Sequence, residues 1–183
     1  MMEISDSELL DLLQEKRGDP HYAFRILVKK YHQKIYWHIR QIVIDHEDAD
    51  DVTQNTFIKA WENLPGFRGE SSLYTWLYRI ATNEALGFLK RKNKRHLFSI
   101  DQHEQLLVGQ IENDPLFDGD EIQKLLQQAI LSLPAKQRLV FQMKYMQEMK
   151  YEDISQILNT SVGALKASYH HAVKKIEQYM EKF

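Results

Sequence analysis

Cysteine is absent from the 183 residues, which excludes disulfides, thiol nucleophiles and every cysteine-ligated zinc or iron–sulfur site. Glycine and proline are scarce, at seven and four residues, about half of the roughly 12% they contribute to an average protein. An all-β sandwich or barrel needs a turn about every 8–12 residues, so this shortage argues against one. No apolar run approaches the roughly 18 residues of a membrane span. The opening Met1-Met2-Glu3-Ile4-Ser5-Asp6 lacks the basic start of a signal peptide. Neither sign of charge dominates, since 24 Lys and Arg against 26 Asp and Glu leave a net charge of −2. What remains, 43% hydrophobic and 27% charged residues, is the composition of a globular chain. A soluble, cytoplasmic, all-α protein is expected.

The parts of an enzyme are missing too. There is no Gly-rich phosphate loop, nucleophile elbow or paired metal motif. The eight His are scattered. The adjacent pair His170-His171 diverges by about 100° on a helix, unlike the i, i+4 pair of a zinc helix. No catalytic residue, metal, cofactor or small-molecule substrate is expected.

Helix signals arrive with caps attached. Ser5-Asp6-Ser7-Glu8 reads as a capping box opening a short helix to about Lys16, ended by Gly18. Asp19-Pro20 is an N-cap with proline at the first helical position. Phe24, Leu27, Val28, Tyr31, Ile35, Ile39 and Ile42 then recur at three- and four-residue spacing. A further helix over about 47–63 would bury Ala49, Val52, Phe57, Ala60 and Trp61 before Pro65-Gly66. Ser71 or Ser72 caps the next, with Leu73, Trp76, Leu77, Ile80, Ala81, Ala85, Phe88 and Leu89 facing inward. These helices close one core, placing a first domain at 1–97. Residues 98–119 read as an acidic flexible linker: between Asp101 and Glu121 there are seven acids and no Lys or Arg. A second domain, 120–183, carries helices over about 120–131, 134–146, 151–158 and 162–180. Pro134 is assigned to a first helical position. The last two helices, parted by Asn159-Thr160-Ser161 with Ser161 as N-cap, fit a helix-turn-helix.

Charge is distributed by face. On the final helix Val162, Leu165, Tyr169, Ala172, Val173 and Ile176 form the packing stripe, leaving Lys166, Ala167, His170, His171 and Lys174 outside, where a recognition helix meets the major groove. From Arg79 to Arg95, six basic residues stand against Glu84 alone, a local charge of +5 that suits phosphates. Phe67, Tyr74, Trp76 and Tyr78 lie just upstream, as rings for unpaired bases would. The spacing of Trp76 to Ile80 also fits the core, and both roles are compatible. By contrast Asp45, Glu47, Asp48, Asp50 and Asp51 crowd one helix start. The helix dipole favours acids there, but five suggest a surface for a basic protein partner.

Several segments together resemble a known family. Asp48-Ala49-Asp50-Asp51-Val52-Thr53-Gln54-Asn55-Thr56-Phe57-Ile58-Lys59-Ala60-Trp61 is similar to the polymerase-binding helix of bacterial sigma factors of the extracytoplasmic-function (ECF) group. Residues 67–83, with Tyr74-Thr75-Trp76-Leu77-Tyr78-Arg79 at their centre and Lys90-Arg91-Lys92 following, resemble its promoter-melting segment. Leu133-Pro134-Ala135-Lys136-Gln137-Arg138, Tyr151-Glu152-Asp153-Ile154 and Ser161-Val162-Gly163-Ala164-Leu165-Lys166 resemble its C-terminal helix-turn-helix domain. The match covers nearly the whole chain in order.

The resemblance implies roles. Asp48, Asp51, Gln54 and Asn55 would grip core RNA polymerase. The loop 64–72, with Phe67, Arg68 and Ser71, would capture a base flipped from the minus-ten element. Tyr74, Trp76, Arg79, Asn83, Lys90, Arg91 and Lys92 would contact and open promoter DNA. Ser161, Lys166, Ala167, His170, His171 and Lys174 would meet the minus-thirty-five element. Many family members carry Thr in place of Ala164 and Arg in place of Ser168 and His171, so the Arg–guanine contact is missing here. The implied function is a non-catalytic sigma subunit that binds core polymerase, selects promoters and helps melt them, regulated by an anti-sigma factor. A stand-alone helix-turn-helix regulator is the alternative; it leaves the acidic helix and the acidic linker without a purpose.

Overall fold

The computed structural model describes residues 4–14, 19–96 and 121–182. The linker expected at 98–119 and the expected end of the first helix at Lys16–Gly18 lie outside the described residues. The chain divides into two compact units, Met1–Lys90 and Arg91–Phe183. Every regular element among the described residues is a helix.

The first unit holds α1 (Asp6–Gln14), α2 (Pro20–Val43), α3 (His46–Asn63), a 3-10 turn (Leu64–Gly66) and all but the last turn and a half of α4 (Leu73–His96). The capping box forms: Glu8 N–H donates to Ser5 Oγ at 3.2 Å, and Ser5 N–H donates to Glu8 Oε2 at 2.9 Å. Asp19 caps α2 by accepting from His21 N–H, with Pro20 behind it. Of the two serines offered for α4, Ser72 caps it, its Oγ accepting from Thr75 N–H at 3.0 Å. Leu27, Ile35, Ile39 and Leu77 are fully buried, each contributing about 1.5–3 kcal/mol. Thr82 fixes α2 against α4. Its hydroxyl proton goes to the Tyr78 carbonyl at 2.8 Å, so His38 Nε2, 2.8 Å away, is the donor to Thr82 Oγ1. Trp61, expected in the core, is half-buried, stacked on His21 at 4.8 Å and edge-on to Phe24 at 5.0 Å.

Only Ile44 and Asp45 separate α2 from α3. Ile44 takes φ 70°, ψ −43°, outside the left-handed α region and sparsely populated for any L residue, at a cost of about 1–3 kcal/mol. Its side chain is buried in the core, which offsets that strain. Asp45 then caps α3 by accepting from Asp48 N–H at 3.0 Å.

The second unit comprises α5 (Glu121–Leu131), α6 (Ala135–Phe141), a π-helical turn (Gln142–Met146), α7 (Tyr151–Leu158) and α8 (Val162–Met180). α8 packs against α5, α6 and α7, and Ala129, Ile130, Leu133, Phe141, Ala172 and Ile176 form a core cluster. Two expectations are corrected. Pro134 is the N-cap of α6, not its first helical residue: its ψ of 137° is extended, and its carbonyl accepts from Arg138 N–H. The helix expected through 146 changes after Phe141 to the π turn, which inserts a residue and shifts the register. Met143 is thereby buried while Tyr145 and Met146 are exposed. Buried Arg138 donates to the Leu131 carbonyl at 3.0 Å, satisfying an otherwise orphaned acceptor at the end of α5.

Candidate nucleic-acid interface

In the first unit, α3 opens with its acids in distinct employments. Asp45 is consumed as a cap. Asp50 lies 3.8 Å from His46 Nε2, while His46 Nδ1 meets the Tyr36 hydroxyl at 2.6 Å. Asp51, Gln54 and Asn55 are exposed and Asp48 is half-buried. These four follow at i, i+3, i+6 and i+7, and so share one side of the helix. Ile58, 55% exposed, lies one turn beyond Gln54 on the same side. It was recognisable in sequence only as an apolar residue off the packing stripe.

The loop between α3 and α4 is shaped by three features. Pro65 and Gly66 form the 3-10 turn, Gly69 takes φ +72°, and Ser72 caps α4. A β-carbon at Gly69 would meet nothing within 4 Å, so glycine is favoured there for the left-handed backbone alone. Phe67 is half-buried against Trp76, ring centroids 4.9 Å apart. Arg68 is exposed and Ser71 half-buried.

Along α4 the candidate residues separate. Measured round the helix from Arg79, Asn83 lies at about 40° and Lys90 at about 20°; all three are exposed. Arg91, also exposed, lies about 120° round, and Tyr74 and Lys92 about 140° the other way, where both are half-buried. Trp76, with the Phe67 ring packed on it, is only 6% exposed and Tyr78 is buried, so neither ring presents an open face to a base. Tyr74 belongs to a ladder: 4.2 Å from the Tyr78 ring and 6.4 Å from that of Tyr31. The Tyr31 hydroxyl donates to Asp6 at 2.5 Å, and Asp6 pairs with Lys30 at 2.7 Å. Burial, reinforced by the Asp6 acceptor, holds the Tyr31 phenol well above its ordinary range. Burial also acts on the Asp6 carboxyl, in the raising direction, but hydrogen bonds from Lys30 and Tyr31 outweigh it and hold that carboxyl below its usual value.

In the second unit Asn159, at φ 48°, ψ 50°, ends α7, and Ser161 caps α8 by accepting from Ala164 N–H at 3.3 Å. Leu165, Ala172 and Ile176 are buried, while Lys166, Ala167, His170, His171 and Lys174 are exposed. From Lys166, His170 lies at about 40°, Lys174 at about 80° and Ala167 at about 100°, with His171 on the flank at about 140°. Tyr151, first residue of α7, has Lys144 Nζ 5.0 Å and Lys166 Nζ 5.8 Å from its ring centroid. Its ring also stands edge-on to Tyr169. The Lys166 contact ties the outer face of α8 to the first helix of the motif, and the Lys144 contact ties that helix to the π turn. Among the described residues no group of three His, Asp or Glu could hold a metal ion, and no helix is long and apolar enough to cross a membrane.

The two faces occur in a pattern shared with known proteins. The Sigma-70 region 2 family matches residues 27–95, and the Sigma-70 region 4 family matches residues 123–176. The RNA polymerase sigma-H factor of Pseudomonas aeruginosa is 32% identical across 96% of this chain and 94% of that protein. The ECF RNA polymerase sigma factor SigW of Bacillus subtilis is 31% identical across 91% and 93%. In fold, the chain is similar to the sigma factor RpoE of Bartonella quintana, solved in complex with the anti-sigma factor NepR. That match has a TM-score of 0.68 and 19% identity, over 86% of this chain and 96% of that one. It is also similar to CnrH, solved in complex with the cytosolic domain of CnrY, with a TM-score of 0.66 and 21% identity over 97% and 95%. The chain belongs to the sigma-70 family, within the ECF group. It functions as a sigma subunit that directs RNA polymerase to promoters, a class of non-catalytic initiation factors.

Proposed function

We propose a division of labour among named residues. Asp48, Asp51, Gln54 and Asn55 on α3 bind the clamp helices of the polymerase largest subunit. The loop 64–72 traps a flipped base of the minus-ten element through Phe67, Arg68 and Ser71, with Trp76 supporting Phe67 from beneath. Arg79, Asn83, Lys90 and Arg91 follow the promoter strand, and Tyr74 and Lys92 flank that path. Ser161, Lys166, Ala167, His170, His171 and Lys174 meet the minus-thirty-five element. Domains 1–97 and 120–183 are joined by the acidic segment 98–119. At about 3.4 Å per residue its 22 residues reach about 75 Å, enough for the roughly 55 Å between two promoter elements 16–17 base pairs apart at about 3.4 Å each. The protein carries no catalysis of its own, works in the cytoplasm, and is held in check by an anti-sigma factor.

The observation that supports this reading best is the segregation of charge within one small domain. α3 exposes Asp51 with Gln54 and Asn55, whereas α4 exposes Arg79, Asn83 and Lys90 in a line. An acidic helix repels phosphates and suits a basic protein; a cationic line does the reverse. The test is the double substitution Asp51→Arg, Gln54→Ala, measured by competition for core polymerase. A loss of at least about tenfold is expected, since a buried like-charge contact costs several kcal/mol, with the thermal melt unchanged. Full retention of core binding would remove α3 from the interface.

A further inference from the structure

Leu86 is 41% exposed on α4, an aliphatic side chain in a row of polar ones. Round the helix it lies about 20° from Arg79, about 40° from Lys90 and about 60° from Asn83, all exposed. Glu84, the nearest acid on α4, is about 160° away, so no carboxylate of this helix shares the line. Neither Arg79 nor Lys90 is ion-paired among the described residues.

Along the axis, at about 1.5 Å per residue, Arg79 and Lys90 stand about 16 Å apart with Leu86 between them. The major groove of duplex DNA is about 12 Å wide, so cations at that separation can reach phosphates on both of its edges. The side chains between them then face the base pairs. Within that groove the one apolar group on any base is the thymine 5-methyl. Arg, Asn and Lys read the polar atoms of base edges; an exposed leucine at the middle of the row has only the methyl to pack against.

We propose that Leu86 is a specificity-determining residue that packs on a thymine 5-methyl in the still-paired upstream part of the minus-ten element, with Arg79 and Lys90 fixing the register on flanking phosphates. This rests on the assignment of the outer line of α4 to promoter DNA. Ile58, the other exposed aliphatic side chain of the first unit, lies on the acidic side of α3.

Holoenzyme is assembled from core polymerase and the full chain, with Leu86 or with Leu86→Ala. The probe is a promoter duplex identified by run-off transcription with the unaltered protein. Thymines in and just upstream of the minus-ten element are replaced singly by uracil, which keeps every hydrogen-bonding group and lacks only the methyl. One replacement is expected to weaken the unaltered holoenzyme about fourfold, the factor that one buried methyl supplies. Leu86→Ala holoenzyme should bind the thymine duplex correspondingly less tightly and be indifferent to uracil at that position. Alanine suits an exposed helix site, so the thermal melt serves as a check that the fold is kept. An identical uracil pattern in both holoenzymes overturns the proposal, as does loss of core binding by Leu86→Ala. Arg79→Ala is measured alongside. If it leaves promoter binding intact, the assignment of α4 itself fails. If it weakens binding while the uracil patterns stay identical, only the leucine contact fails.

Discussion

The two helices assigned to promoter DNA, α4 and α8, are built differently. α4 exposes a straight row in which Arg79 and Lys90 bracket Asn83 and Leu86, and its flank carries the loop 64–72. α8 exposes Lys166, Ala167, His170 and Lys174 across a broader face with no Arg, and its leading lysine leans on the Tyr151 ring. A bracketed row can fix register on phosphates and leave its centre free to read bases. A broad face of two Lys with Ala and His between them contacts phosphates and orients the helix, but it lacks the bidentate Arg–guanine contact. On the proposed assignment, promoter choice is made chiefly by the first unit, while the second anchors.

The first unit depends most on the hydrophobic support beneath the loop assigned to promoter DNA. Trp76→Ala should destabilise the fold by about 3–5 kcal/mol, because a nearly buried indole leaves a cavity; Phe67→Ala, at a half-buried ring, should cost far less. Denaturant melts of the two variants decide this, and equal losses would mean that the loop and the core are one cooperative unit. Next in size, replacing Arg79 and Lys90 together with Ala should weaken promoter binding by the holoenzyme about 10–100-fold and reduce its salt slope by about 2. Replacing Lys166 and Lys174 should reduce the slope similarly but alter base preference less, as read by binding to single-base promoter variants. A sharper version adds what α8 lacks. His171→Arg should gain about 5–10-fold on promoters with a guanine facing that flank, the scale of one bidentate contact, and nothing elsewhere. The smallest effect concerns pH. The Asp6 carboxyl titrates below its ordinary value in the fold, so its contribution is complete above about pH 4 and is lost as pH falls through the folded value. Asp6→Asn should therefore flatten the acid limb of stability, measured by melts between pH 5 and 2.5.

Much of this architecture is legible in the chain because the decisive interactions are local. The Ser5–Glu8 box, the Asp19-Pro20 start and the Ser161 cap each satisfy helix-end donors with groups at most three residues away. The outer face of α8 follows from periodicity alone. The turn at Ile44 is hidden: no Gly or Pro marks it, and only burial of its side chain in the tertiary core makes φ 70° tolerable. The π turn at Gln142–Met146 is hidden for a similar reason, since its extra residue is set by which of Met143 and Tyr145 enters the core. Among the aromatics before the basic cluster, spacing placed Trp76 in the core as readily as at DNA, and packing buries both it and Tyr78. Leu86 carries no mark in the sequence, because an apolar residue off the packing stripe has no signature until its neighbours on the surface are known.

The most direct test is run-off transcription with purified core polymerase on a library of genomic fragments, with and without this protein. Discrete start sites that require the protein, sharing two elements 16–17 base pairs apart as the linker length allows, are the predicted result. Absence of new starts, together with failure to bind core polymerase, would contradict the account.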